Sequence, residues 1–171
     1  LGSIPSGYLA GRWLAGLDLR KIGSGSTGAT NVLRHVGKRA ALTVFLIDVG
    51  KGTAAVLLAK SLLPGDGWEV ATGITALAGH IWSVWLNWKG GKAVATGLGM
   101  LMGLSWPVGI ASFGIFLAVL SSSKIVSLSS IIAAISLPLL MILSFQGNSR
   151  PAYLSVALVA TAMVIWRHRS N

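Results

Sequence analysis

Long apolar runs separated by short clusters of lysine and arginine are the feature that most constrains how this chain can fold. A helix crosses a lipid bilayer with roughly 20 apolar residues, or with fewer where neighbouring helices shield it. Seven runs are candidate spans, at residues 1–17, 40–63, 70–88, 93–104, 107–120, 125–145 and 152–166. We therefore expect an all-α integral membrane protein whose single domain, residues 1–171, is a compact bundle of seven transmembrane helices.

The composition agrees with a membrane protein and excludes several other classes. Hydrophobic residues make up 53% of the chain and charged residues only 11%, so a water-soluble globule of this size would expose large apolar patches. The absence of cysteine excludes a disulfide framework, a thiol nucleophile and a cysteine-based metal site. The three histidines are scattered along the chain, so we expect no metal and no cofactor.

The positions of the basic residues predict the orientation in the membrane. The formal net charge of +10 would point to nucleic acid in a soluble protein, but here the basic residues cluster between apolar runs, so we expect no nucleic-acid partner. With seven crossings, nearly all lysine and arginine clusters between the spans lie on one side of the membrane, and only Arg150 lies on the other. If the fourth and fifth spans were one helix, the basic clusters would be divided between the two sides. Positive charge stays inside, so the N-terminus is predicted outside and the C-terminus in the cytoplasm.

The first inner loop, residues 19–34, has the residue types of a phosphate-binding loop. Its glycines allow the backbone to curl so that successive N–H groups converge, and its hydroxyl groups add further donors. Thr30 and Asn31 can open a helix that ends near Arg34. The candidate residues of this loop are Gly23, Ser24, Gly25, Gly28, Thr30, Asn31 and Arg34. It is not a Walker A motif, and a flexible connector is the alternative.

Two further inner segments carry cations beside polar groups. Residues 88–96 place Lys89 and Lys92 around two glycines just ahead of a helix, although a tight turn whose lysines only set the topology is the alternative. At the C-terminus, His168 and Asn171 lie three residues apart and are neighbours if the last helix continues. A histidine there can donate to phosphate or move a proton near neutral pH, whereas a solvated basic tail is the simpler role.

Three features fall within the apolar runs themselves. Asp48 and Lys51 are three residues apart, so they can form an ion pair on one helix face, with a structural role as the simpler explanation. His80 has no acidic neighbour in the sequence and is either a hydrogen-bonded histidine of the bundle or a member of the inner site. Small residues that let helix backbones approach closely recur at Gly97, Gly99, Gly103 and Gly109.

Seven segments, in order along the chain, resemble motifs of the bacterial PlsY family. They are GSIPSGY at 2–8, GSGSTGATNVLR at 23–34, DVGKG at 48–52, GH at 79–80, GGKAVAT at 90–96, SLSSI at 127–131 and HRSN at 168–171. The chain has Ser26 and Thr27 where the family has Asn-Pro, Ser83 in place of Pro and Ala93 in place of Gly. It starts without Met, and the family usually continues past Asn171, so we expect it to be clipped at both ends.

The resemblance implies a fatty acyltransferase of the bacterial inner membrane whose active site faces the cytoplasm. Members of the family carry out the first acylation of phospholipid biosynthesis, from acyl phosphate to the sn-1 hydroxyl of glycerol 3-phosphate, and release lysophosphatidic acid and phosphate. The implied partners are therefore these two substrates and membrane lipid. The chain shows no signal for an oligomeric state.

The resemblance also implies roles for individual residues. Glycerol 3-phosphate is expected at Arg34, Lys92, His168 and Asn171, with Ser24 close by. Acyl phosphate is expected at Gly23, Gly25, Gly28, Thr30 and Asn31, with supporting positions at His80 and Ser129. The catalytic set is Ser24, Arg34, Lys92 and His168. Acyl phosphate is already activated, so no covalent acyl-enzyme is needed, and the missing His-x-x-x-x-Asp pattern argues against an aspartate-assisted histidine base.

Two other classes stay open on the residues alone. A small-anion or phosphate transporter would also carry polar glycine-rich loops, but it would normally show repeated halves and a site near the bilayer midplane. In this chain the polar groups gather on one predicted side, and no repeat of that length is visible. A non-catalytic membrane-assembly factor would explain the spans without needing phosphate-binding residues.

Overall fold

A computed structural model describes residues 1–145 and 150–169 of the chain. Over these two ranges the backbone forms α-helices and two short 3-10 turns, Leu19–Lys21 and Val84–Leu86, and no β-strand. The helices are α1 (Ser6–Ala15), α2 (Ala29–His35), α3 (Lys38–Leu62), α4 (Asp66–Ile81), α5 (Val94–Leu104), α6 (Trp106–Ser123), α7 (Val126–Ser144) and α8 (Pro151–His168). The predicted all-α class is confirmed, and each of the seven predicted spans overlaps one α-helix, with the short α2 lying between the first two.

The helices differ in their capacity to cross a membrane. Among the described residues, α3, α6 and α7 are long and apolar enough to do so by length and composition. Helix α1 has 10 residues, which is about 15 Å at 1.5 Å per residue, because Pro5 precedes it and Gly16 ends it in a left-handed conformation. The number of crossings and the orientation therefore stay predictions.

Helix α4 does not follow the predicted span at either end. It begins at Asp66, and Asp66 and Glu69 supply negative charge to its first turn, where the helix dipole favours it. It ends at Ile81, because the chain then folds back and the N–H of Gly90 donates to the Ile81 carbonyl at 3.0 Å. The expectation of one helix through residue 88 is wrong for residues 82–88.

The division of the fourth and fifth predicted spans is confirmed. Ser105 is extended, with φ −151° and ψ 100°, so it interrupts the helical backbone between α5 and α6. The two helices fold back on each other, since a Cβ built on Gly109 would meet the Sδ of Met102 at 2.6 Å. They are therefore two helices rather than one bent helix.

Helices α3 and α5 pack backbone to backbone, as the recurring glycines predict. A Cβ on Gly99 would lie 1.9 Å from the carbonyl oxygen of Val49, and a Cβ on Gly52 would lie 2.2 Å from that of Thr96. Gly97 makes only an ordinary contact, with Leu77 at 3.7 Å. Buried side chains fill the middle of the bundle, whereas many large apolar side chains stay exposed on its outside, where lipid can cover them; the exposed set includes Leu42, Leu46, Ile135, Leu139 and Ile142.

A cluster of charged and aromatic residues ties together the ends of α3, α4, α5 and α8, and we call it the far-end cluster. The Tyr153 hydroxyl donates to Glu69, and the Lys60 ammonium lies 3.6 Å from the same carboxylate and donates to the Leu104 carbonyl at 3.1 Å. Arg150 lies over the Tyr153 ring at 5.2 Å. The expectation that Arg150 alone occupies this end is wrong, because Lys60 sits there too and is paired.

Candidate active site

The opposite end of the bundle holds a polar cavity of about 420 Å³. It lies between the glycine-rich loop, α2, the first half of α3, and the ends of α4, α5, α6, α7 and α8 that face this side. Its lining includes eight residues of the predicted site, which are Ser24, Gly28, Thr30, Asn31, Arg34, His80, Lys92 and His168. The structure therefore brings together residues that are up to 144 positions apart in the sequence.

Two further cavities adjoin the polar cavity. A basic pocket of about 470 Å³ shares three of its residues, and its lining consists of Gly23, Ser24, Gly25, Ser26, Lys92, Trp166, Arg167 and Arg169. An apolar pocket of about 90 Å³ extends into the bundle on the other side, and its lining includes Leu77, Met100, Leu101, Phe113, Leu137 and Met163. Phe116 and Ser130 line both the apolar pocket and the polar cavity.

The glycine-rich loop is held in a defined curl rather than being an unattached connector. Gly23 is left-handed with φ 57°, and a Cβ there would meet the Asn31 Oδ1 at 2.4 Å, so this position requires glycine. The buried Asn31 amide nitrogen donates to the carbonyls of Leu19, Ile22 and Ser26 at 2.9 to 3.2 Å. Its Oδ1 accepts from the Ser24 N–H at 3.4 Å. Asn31 thus shapes the loop, and Ser24 lies exposed where the polar cavity meets the basic pocket.

The loop of residues 88–96 packs against His80, and its Lys92 lines both the polar cavity and the basic pocket. The Gly91 N–H donates to the His80 carbonyl at 3.0 Å, and a Cβ on Gly91 would lie 2.1 Å from the His80 Nε2. From the other side, Arg167 donates through Nη2 to the Gly91 carbonyl at 3.1 Å. Burial, and after it the charges of Arg167 and Arg34, lower the pKa of Lys92. Cations placed so close together attract an anion, so the arrangement suits a phosphate ligand.

The structure explains two of the departures from the family pattern. Ala93 is left-handed, with φ 59° and ψ 15°, a conformation that glycine adopts without steric cost. Ser83 has φ −65°, which is the value that proline requires, and its hydroxyl donates to the Ser3 carbonyl at 2.7 Å. Both substitutions therefore keep the backbone that the family residues would favour.

A buried polar network lies next to the cavity, and two of its members, Asp48 and His80, line the cavity. The predicted ion pair is confirmed, with Lys51 Nζ 2.7 Å from Asp48 Oδ1, and Ser6 donates to the same oxygen at 2.7 Å. His80 Nδ1 lies 3.7 Å from Asp48 Oδ1 and 3.1 Å from the Thr96 hydroxyl oxygen. His80 thus has an acidic neighbour in space, which its sequence surroundings do not reveal because Asp48 lies on another helix.

The remaining predicted residues have distinct positions. His168 Nδ1 is 2.8 Å from the Val164 carbonyl, which can only accept, so Nδ1 carries hydrogen and Nε2 is left to accept or bind a proton. Ser129 is buried and donates to the Ile125 carbonyl at 2.8 Å, and it is Ser127 and Ser130 that line the cavity instead. Gly23 and Gly25 line the basic pocket. Asn171 lies outside the described residues.

An apolar helical bundle with a cationic cavity at one end and an apolar pocket beside it is an arrangement suited to a membrane protein with phosphate-bearing substrates. The chain belongs to the glycerol-3-phosphate acyltransferase family, whose model matches residues 1–171. A glycerol-3-phosphate acyltransferase of Prochlorococcus marinus (strain MIT 9313) is 78% identical over 171 residues, which cover 100% of this chain and 84% of that protein. One of Synechococcus sp. (strain CC9605) is 70% identical over 171 residues, with 100% and 83% covered.

Solved structures share the fold. The crystal structure of PlsY (YgiH), an integral membrane glycerol 3-phosphate acyltransferase, in its glycerol 3-phosphate form matches with a TM-score of 0.91 and 38% identity, over 99% of this chain and 84% of that one. Its lysophosphatidic acid form matches with a TM-score of 0.87 and 37% identity, over 99% and 83%. The all-α, multi-pass membrane class of this chain follows from this likeness together with its apolar helices.

Proposed function

We propose that this chain transfers a fatty acyl group from acyl phosphate to the sn-1 hydroxyl of glycerol 3-phosphate, and releases lysophosphatidic acid and inorganic phosphate. The observation that carries the proposal is the junction at Lys92, where the polar cavity, the basic pocket and the apolar pocket meet. The family membership and the glycerol 3-phosphate and lysophosphatidic acid forms of PlsY support it.

Electrostatics explain why such a site needs its cations. Two phosphates near −2 charge held about 6 Å apart repel by roughly 11 kcal/mol at an effective dielectric of 20. Arg34 and Lys92 line the polar cavity, and Arg167 and Arg169 line the basic pocket, so positive charge surrounds the junction. Arginine also binds phosphate through two parallel hydrogen bonds, which fixes its orientation.

The apolar pocket has room for the first part of the donor's acyl chain. Each buried methylene contributes about 0.8 kcal/mol, so a chain that enters between Phe116 and Leu137 and continues into lipid anchors the donor firmly. Its carbonyl carbon then lies at the polar cavity. A site at one end of the bundle, rather than near its middle, also speaks against the transporter alternative.

The proposed reaction needs no covalent acyl-enzyme. The sn-1 oxygen attacks the acyl carbonyl carbon, the bond from that carbon to the phosphate oxygen breaks, and its electron pair leaves with the phosphate. The hydroxyl proton is taken up by a substrate phosphate oxygen, so the balanced products are the ester and hydrogen phosphate. Arg34, Lys92 and His168 hold glycerol 3-phosphate, with Ser24 close by, and orient its hydroxyl. The glycine-rich loop, including Gly28 and Thr30, holds acyl phosphate and stabilises the charge that grows on the departing phosphate.

We further propose that the protein crosses the bacterial inner membrane seven times, with its N-terminus outside and the polar cavity facing the cytoplasm. The cations gathered at the cavity end support this orientation under the positive-inside rule, whereas the far-end cluster balances Lys60 and Arg150 with acidic partners. Glycerol 3-phosphate would then reach the site from the cytoplasm.

The test of the donor is a phosphate-release assay on purified protein. With acyl phosphate and glycerol 3-phosphate together, we expect steady release of phosphate and formation of lysophosphatidic acid. With acyl-CoA in place of acyl phosphate, we expect no product, because the described cavities show no feature built for a nucleotide. Comparable turnover with acyl-CoA under matched conditions would contradict the proposed donor.

A further inference from the structure

Lys124 occupies the corner between α6 and α7 in a backbone conformation that disfavours it. Its φ of 58° and ψ of 13° are left-handed, and its N–H closes α6 on the Leu120 carbonyl at 3.0 Å. Glycine is the usual residue at such a helix end, because it has no Cβ to clash. A lysine here is therefore a strained choice, and a role beyond ending the helix would explain it.

A role of Lys124 in setting the membrane topology does not explain its left-handed backbone. The positive-inside rule needs only a cation near the helix end, and the exposed positions Ser121 and Ser122 just before the corner would serve as well without a left-handed backbone. What distinguishes Lys124 is its position: it lines the polar cavity together with Ser127 and Ser130. Arg34 lines the same cavity from α2.

The two helices that meet at this corner form one side of the boundary between the polar cavity and the apolar pocket. Phe116 of α6 and Ser130 of α7, the two helices that Lys124 joins, line both spaces. The opposite part of the shared lining is formed by Phe45 of α3, Lys92 and the start of α5. A ligand whose chain enters the apolar pocket therefore has its head group between Lys92 on one side and the α6–α7 corner on the other. Glycerol 3-phosphate has no such chain, and the residues expected to hold it, Arg34, Lys92 and His168, are on other elements.

We propose that Lys124 is a substrate-binding residue that contacts the phosphate of acyl phosphate. This inference rests on the proposed function and adds to it a cation on the α6–α7 side of the cavity. The strained backbone places that cation where the donor's head group lies, at some expense of stability. Replacement of Lys124 by glycine should then stabilise the protein and weaken its binding of acyl phosphate.

The test uses Lys124→Gly, Lys124→Gln and Lys124→Arg in the purified full chain. Lys124→Gly removes the strain, so we expect its Tm to rise by about 2–4 °C. The same variant loses the cation, so we expect its KM for acyl phosphate to rise about tenfold, while its KM for glycerol 3-phosphate changes less than about threefold. Lys124→Gln should raise the KM for acyl phosphate similarly without the gain in Tm, and Lys124→Arg should keep it within about threefold of the wild type.

Two matched controls separate the effects. Asn87 is also left-handed, with φ 51°, but it does not line the polar cavity, so Asn87→Gly should leave both KM values unchanged. Lys89 is an exposed lysine that does not line the cavity either, so Lys89→Gln controls for the loss of one positive charge.

The outcomes distinguish this inference from the proposed function. A higher Tm with an unchanged KM for acyl phosphate in Lys124→Gly would overturn it, as would a rise in the KM for glycerol 3-phosphate alone. Turnover of acyl phosphate by the wild type tests the proposed function by itself. A second measurement needs no turnover: the rise in Tm that inorganic phosphate causes. This rise should be smaller in Lys124→Gly and Lys124→Gln than in the wild type. An equal rise in all three proteins would also overturn the inference.

Discussion

Exchange of Lys92 for arginine separates catalysis from topology, because the charge is preserved at the junction of the three cavities. Lys92 is half-buried between Arg34 and Arg167, and the loop that carries it is held by His80 on one side and Arg167 on the other. A longer, planar guanidinium cannot occupy the same point in so confined a place. The orientation of the protein in the membrane should stay unchanged, whereas activity should fall.

The expected loss follows from the contact that is removed. A charge-assisted hydrogen bond to phosphate is typically worth about 1.5 to 3 kcal/mol, or roughly ten- to a hundredfold in kcat/KM. Lys92→Ala should lose that amount, and Lys92→Arg less, because it keeps the long-range attraction. Arg34→Lys should behave like Lys92→Arg, since it keeps the charge but loses the two-point contact.

The pH dependence of kcat/KM is a second test of the role of Lys92. Its pKa lies below the 10.5 of an ordinary lysine, because burial and the neighbouring cations disfavour the charged form. The ammonium is present below that pKa and is lost as the pH rises through it. The kcat/KM of the wild type should therefore begin to fall at an alkaline pH below 10.5, whereas Lys92→Arg stays charged and should lack this decline.

The measurement is phosphate release by folded, correctly inserted protein, with Lys89 as the matched lysine of the same loop. Lys89 is exposed and does not line the polar cavity, so Lys89→Arg and Lys89→Gln should change activity little. Equal dispensability of Lys89 and Lys92 would refute the reasoning and leave the loop as a turn that only sets topology. An unchanged alkaline decline in Lys92→Arg would show that another group causes it.

Three further predictions follow from the topology, the backbone and the packing. Since the chain has no cysteine of its own, a single cysteine at Asp66 should be labelled from outside intact cells and one at Ser26 should be protected, and the reverse pattern would contradict the proposed orientation. Ala93→Gly should raise the free energy of unfolding by about 1 kcal/mol, as seen in thermal unfolding, because glycine relieves the left-handed backbone at φ 59°; a lower Tm would argue against that strain. Gly99→Ala should lower the free energy of unfolding by about 1–3 kcal/mol, because its Cβ would lie 1.9 Å from a carbonyl of α3, whereas Gly114→Ala, with nothing within 4 Å, should be neutral or stabilising.

The sequence predicts those parts of the site whose chemistry is local. Gly23 and Arg34 are recognisable as candidates because a glycine-rich, hydroxyl-rich loop followed by a cation has the residue types of a phosphate-binding loop, although a flexible connector has a similar composition. The ion pair of Asp48 and Lys51 is predictable because a spacing of three places both side chains on one helix face. These features need no knowledge of how the helices pack.

Features that depend on packing between distant elements are not predictable in this way. The approach of His80 to Asp48 requires α3 and α4 to lie side by side, and neither residue has a local signal for it. Ser129 belongs to a recognisable motif, yet it is buried in the bundle and its neighbours Ser127 and Ser130 line the cavity, because the rotation of a helix decides which side chains face the cavity. Lys124 is one of the basic residues between two apolar runs, and the sequence does not reveal its left-handed backbone.

The far-end cluster and the buried core next to it bear on how well a membrane that contains this protein keeps its electrical potential. Val56 and Met100 are fully buried in the stretch of bundle between this cluster and the polar cavity, and the cluster ties the helix ends beyond them. A charge that crosses a membrane potential of 100 mV changes in free energy by about 2.3 kcal/mol, so a hydrated passage through the bundle would leak protons continually. In the proposed orientation both anionic substrates and the released phosphate use the cytoplasmic face. Acyl transfer then moves no net charge across the bilayer, and a cell can hold many copies of the enzyme without discharging its membrane.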